Sequence, residues 1–177
     1  MTDGQDRVAD DEELYRRVRE TVAGQVCYQI EGGRVVFSQA AFNDPSKQPS
    51  VDRAKLRDFD PHRSRLTRED GIVTLEAGAV RRLGPIPQYD NRRQPLSEHA
   101  VDVVPDPIEG NGAHALVVTQ PPVTGRSVYK RLKDGLARLA TEAGWRVTPG
   151  NPLPRRKFLA VLRDVFRWML RSFRRIK

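Results

Sequence analysis

Cysteine is nearly missing from this chain. Cys27 is the only one among 177 residues, which excludes an intramolecular disulfide framework and a cysteine-ligated zinc site. A reducing compartment is therefore the expected home. Histidine is almost as scarce, so any imidazole chemistry must come from His62, His99 or His114. No run of about 20 apolar residues exists to span a bilayer, and the acidic, polar opening MTDGQDRVADDEEL is not a secretory signal. Phosphate loops are missing too: EGG, LEAGA and EGNG neither follow G-x-G-x-x-G nor end in Gly-Lys-Ser/Thr before a helix. G-x-S-x-G does not occur. With no catalytic or cofactor signature, the expectation is a non-enzymatic protein without a cofactor or metal.

What the chain does have is charge, unevenly placed. The formal net charge is +8, and residues 155–177 hold nine basic groups and one acid, Asp164. The other 154 residues carry 22 basic and 22 acidic groups, so the body is neutral and partners drawn by charge belong to the tail. Arginine outnumbers lysine 25 to 6 beside abundant Ala, Val, Gly and Pro, a composition typical of GC-rich bacterial genomes.

The tail, KFLAVLRDVFRWMLRSFRRIK, has the pattern of an amphipathic helix. At 100° per residue, Phe158, Leu162, Phe166, Trp168, Met169 and Phe173 fall within an apolar arc of about 200°. Arg163, Arg167, Arg171 and Arg174 line the opposite side. Such a helix can close the core of the body, lie in the interface of an anionic membrane, or enter a groove on a partner. Nucleic acid alone fits least well, because phosphates need the charge but leave large apolar residues uncovered. The expected function is an accessory or adaptor domain, cytoplasmic and peripheral at the inner face of the membrane, attached to an anionic surface or a partner protein groove. The alternative is a nucleic-acid-binding or nucleic-acid-acting protein, with or without a metal ion, that uses the Asp52–His62 region and arginine-rich loops.

Along the body, a first helix is expected over about residues 10–23, with acids at its start, Leu14, Val18 and Val22 at i+4 spacing, and Gly24 to stop it. QVCYQI-EGG-RVVFSQ reads as a hairpin around Gly32 and Gly33. PSVDRAKLRDFDPHRSRLTREDG reads as short helical turns, with Ser50 and Thr67 as caps and no strand. GIVTLEAGAVRRL begins as a strand at Ile72 and turns helical near Ala77, and GPIPQYDNRRQP reads as a long loop. HAVDVV and AHALVVT read as paired strands. TGRSVYKRLKDGLARLATEAG is a helix with Val128, Leu132, Leu136, Leu139 and Ala143 on one face and Gly144 as its stop, and WRVT adds a strand. The sum is an α+β fold, a mostly antiparallel sheet of about four to six strands covered by two or three helices, plus the C-terminal amphipathic helix. Residues 1–147 form the body, 148–156 a proline-containing linker and 157–177 the basic helix.

Three groups are candidates for chemistry. His99 and His114 each precede an apolar strand, but pairing 99–104 with 113–118 sets His114 opposite Val103 and leaves the two histidines about 15 Å apart, as strand-end residues without a shared site. Asp52, Asp58, Asp60 and His62 could gather a cation, yet their spacing matches no ligand loop, and alternating Asp and Arg suit surface pairs. Gly125, Arg126 and Ser127 sit at a helix start where an anion can perch. PSVDRA followed by NGAHALV resembles a pattern in an uncharacterised family of small bacterial proteins, over most of the body but not the tail. The resemblance implies no activity and assigns no residue a role.

Overall fold

Residues 13–18, expected within the first helix, form a strand at the middle of a sheet. The computed structural model describes residues 7–123 and 125–150. In β1 (Glu13–Val18), Leu14 and Val18 enter the main core while Tyr15 joins a smaller cluster on the other face. Leu14 and Val18 are four apart, an even number, so a spacing of one helical turn is also a spacing along one face of a strand.

β2 (Thr21–Val22) and β3 (Gln25–Val26) make a short ribbon, and β4 (Tyr28–Glu31) with β5 (Arg34–Phe37) makes the expected hairpin. Its Gly32-Gly33 turn has φ of +55° and +80°, which glycine alone adopts freely. β6 (Ser50–Arg53) lies where helical turns were expected. It is only four residues long, and its charged Asp52 and Arg53 are buried, so no hydrophobic alternation marks it in the sequence. β7 (Gly71–Glu76) runs into α1 (Ala77–Arg81) as expected. β8 (Ile86–Tyr89) replaces part of the expected proline-rich loop, and an edge strand tolerates its Pro87. β9 (Pro95–Pro105), β10 (His114–Gln120), α2 (Arg126–Ala143) and β11 (Trp145–Val147) follow.

Seven strands form one antiparallel sheet in the order β11-β7-β1-β6-β10-β9-β8. The expected α+β class with four to six strands and two or three covering helices is thereby corrected. The protein is mostly β, and the described residues contain two helices, of five and 18 residues. Three physical facts account for the difference: the even spacing in β1, the buried charges of β6, and the proline in β8. The expected helix over 157–177 lies outside the described residues.

α2, the β4–β5 ribbon and a 3-10 turn at Gln39–Phe42 cover one face of the sheet. Val128, Leu132 and Leu136 of α2 are fully buried against Leu14, Val73, Val103 and Val117. Tyr28, Phe37 and Trp145 close the end of this core, with Trp145 edge-on to both partners at 4.9 and 4.6 Å. Among the described residues the other face carries only two 3-10 turns, Ala54–Arg57 and Pro61–Ser64, over Tyr15, Ala54, Ile72 and Val147. Those turns sit toward the β11-β7-β1 side and leave a cleft over β1, β6 and the start of β10. The ordered body continues past residue 147, since Gly150 N donates to Arg68 O at 2.8 Å.

Candidate functional site

Pairing across the sheet puts four polar side chains in one row. Tyr15 is opposite Thr74 on β7 and Asp52 on β6, and Asp52 is opposite His114 on β10. Opposed residues of antiparallel strands share a face with Cβ atoms about 5 Å apart. The PSVDRA and NGAHALV segments are therefore neighbours in space, tied further by Arg53 N donating to Ala113 O at 2.8 Å and Asn111 Nδ2 donating to Asp52 Oδ1 at 2.8 Å.

Asp52 accepts two hydrogen bonds on Oδ2, from Arg57 Nε at 3.1 Å and Nη2 at 2.8 Å. Arg57 thus reaches the cleft from the Ala54–Arg57 turn, with nothing bonded to Nη1 among the described residues. His114 has a fixed hydrogen position. Its Nδ1 lies 2.7 Å from the Asp106 carbonyl oxygen, which can only accept, and 3.1 Å from Asp106 Oδ2, so Nδ1 carries the hydrogen. In the neutral ring Nε2 is then an acceptor, and among the described residues nothing bonds to it.

Arginine dominates the rest of the lining. The cleft encloses about 520 Å3, and Arg16, Arg17, Arg19, Arg57 and Arg63 all border it, against two carboxylates, Asp44 and Asp52. Arg16 is held by neutral acceptors: Ala41 O at 3.0 and 2.8 Å, Ser50 O at 2.7 Å and Ser50 Oγ at 3.0 Å, with the Phe42 ring 5.6 Å away. Burial pushes its guanidinium down to about 10, so it remains charged at neutral pH. Arg17 is exposed and has no carboxylate bonded to it among the described residues. Arg19 gives Nε to Asp70 Oδ1 at 3.0 Å, and Arg63 is paired with Asp58.

Asp70 organises this wall. Its Oδ2 accepts from Leu66 N and Thr67 N, both at 2.8 Å. Burial alone would raise the Asp70 pKa, but these amides and Arg19 outweigh it and hold the carboxyl below its ordinary value. The cleft is also lined by Leu66, 67% exposed, and Ile108, 51% exposed.

The residues proposed from sequence fare differently. Asp52 lines the cleft, whereas Asp58 pairs with Arg63 and Asp60 caps the second 3-10 turn by accepting from His62 N at 2.9 Å. His62 lies 3.5 Å from Arg65, and no group of three or more His, Cys, Asp or Glu able to hold a metal occurs among the described residues. His99 is a structural residue, 2% exposed, donating Nδ1 to Pro121 O at 2.7 Å. The expected β9–β10 hairpin exists three residues out of register, with Val103 opposite Val117. An odd shift reverses the face, which is why His114 points to the cleft and not toward Val103 in the core. Gly125 caps α2 without a side-chain hydrogen bond. The proposed contacts of Phe158, Leu162, Arg163, Phe166, Arg167, Trp168, Met169, Arg171, Phe173 and Arg174 lie outside the described residues. Arg17, Arg19 and Asn111 were missed. In YRRVR the alternation Tyr15, Arg17, Arg19 was the available signal, hidden once the segment was taken as a helix.

No protein-family model, curated protein or solved structure matches the chain.

Proposed function

We propose that the body is a binding module for a phosphate-bearing ligand, held in the arginine-lined cleft. One observation carries this: five guanidinium groups border one cavity, and one of them, the exposed Arg17, has no bonded carboxylate among the described residues. Near a protein surface two opposite unit charges at ~4 Å attract by about 4 kcal/mol before desolvation. A dianion therefore gains more here than a monocarboxylate, and guanidinium forks suit its oxygens. Titrating the full chain with inorganic phosphate and with organic phosphates tests it. Saturable binding weakened at least tenfold by Arg17→Ala supports the proposal, and the absence of binding by the folded protein removes it.

The placement of charge supports a second element of function. We propose that the basic segment 157–177 attaches this module to an anionic membrane surface or to a groove on a partner, at the inner face of a cytoplasmic membrane. No helix among the described residues is long and apolar enough to cross a membrane. Co-sedimentation with anionic vesicles, compared between the full chain and a version ending at Pro154, tests this element separately from the cleft.

A further inference from the structure

We infer that the ligand of the cleft is a nucleotide, a phosphate joined to a flat ring that carries hydrogen-bond donors. This rests on the phosphate-binding proposal and goes further by assigning the cleft's other groups. Leu66 and Ile108 line the cavity while 67% and 51% exposed. Apolar side chains in the lining of a charged cleft offer nothing to inorganic phosphate, but either can cover a face of a ring.

Both positions are held in advance. Leu66 is fixed through its own amide on Asp70, 2.8 Å away, and Ile108 through reciprocal backbone bonds with Asn111, Ile108 N to Asn111 O at 3.2 Å and Asn111 N to Ile108 O at 2.9 Å. Little ordering is then needed when a ring arrives.

Acceptors complete the assignment. Among many donors the cleft presents the carboxylate of Asp52 and, in the neutral ring, the Nε2 of His114, which call for N–H or O–H groups on the ligand. Phosphatidic acid has the apolar part without those donors, and a sugar phosphate has the donors without the apolar face. A nucleotide has both together with the dianion, and a cavity of about 520 Å3 accommodates a mononucleotide.

Calorimetric titration of the full chain with inorganic phosphate, ribose 5-phosphate, adenosine and adenosine 5′-monophosphate tests the inference. The nucleotide is expected to bind ~10-fold or more tightly than ribose 5-phosphate, the gain that covering one apolar side chain supplies. Leu66→Ser combined with Ile108→Ser removes that advantage and leaves ribose 5-phosphate unchanged, and His114→Ala weakens the nucleotide but not inorganic phosphate. Equal affinity for the nucleotide and ribose 5-phosphate overturns the nucleotide and leaves the phosphate site standing. Tight binding of a single-stranded oligonucleotide with none of the mononucleotide also overturns it. If no phosphate compound binds the folded chain, the phosphate proposal beneath it fails as well.

Discussion

At Glu12 and Arg53 two opposite charges sit almost out of reach of water, with side chains 4% exposed each. The pair is bidentate, Nε to Oε1 at 2.7 Å and Nη2 to Oε2 at 2.9 Å, and Lys55 adds a third contact at 3.3 Å. Burial would raise the Glu12 pKa, but Arg53 and then Lys55 outweigh it and hold the carboxyl below its ordinary value. Removing one member leaves the other charged and dry, so Arg53→Met is expected to destabilise the protein by about 3–5 kcal/mol in urea unfolding. Both Glu12 and Asp70 have lowered folded-state pKa values. The stability they supply is fully present above the unfolded-state value of about 4 and is lost as pH falls through the lower folded values. Urea midpoints should therefore be level near neutrality and fall below about pH 4, with a shallower acid loss in Glu12→Gln.

Strand β7 begins at Gly71, a position where nothing larger fits. A Cβ would lie 2.8 Å from Trp145 Cη2 and 2.9 Å from Pro149 Cδ, against the aromatic end of the core. Gly71→Ala is expected to cost about 1–3 kcal/mol as the Trp145 ring is displaced, measurable as a lower urea midpoint and changed tryptophan fluorescence. Elements declared by local chemistry were legible in the sequence: the Gly32-Gly33 hairpin, the β7–α1 junction, and α2 with its Gly144 stop. β1, β6 and β8 were not, because their identity depends on neighbours distant in sequence. β6 is a strand because β1 and β10 flank it, and its buried charges find Glu12, Arg57 and Asn111 only after folding. The cleft suffered for the same reason. Asp52 was singled out, but its partners Arg57, Asn111 and His114 converge only through the β6–β10 pairing, and a three-residue error of register had turned His114 to the wrong face.

For the molecule as a whole, charge is divided by position and then concentrated. Residues 1–154 are neutral, yet five arginines border one cavity, so a neutral body can still hold a local positive field. The described body also has a core that extends through β11, with Gly150 tied to Arg68. A chain ending at Pro154 is therefore expected to unfold cooperatively in urea and to lose sedimentation with anionic vesicles, with Trp168→Glu in the full chain weakening sedimentation more than Arg174→Gln. Loss of cooperative unfolding on truncation would place residues 157–177 in the core.

Phosphate binding in the cleft is tested most directly by calorimetric titration of the full chain with adenosine 5′-monophosphate beside the Arg17→Ala variant. Arg17 is exposed and hydrogen-bonded to no carboxylate among the described residues, and its charge is the least of the influences that lower the Asp70 pKa, so its loss should move the urea midpoint by no more than about 0.5 kcal/mol. The predicted result is one saturable site whose affinity falls at least tenfold in the variant, while the nine basic groups of residues 155–177 remain in both proteins. Equal binding by the two proteins, or none by either, would contradict the assignment of the cleft.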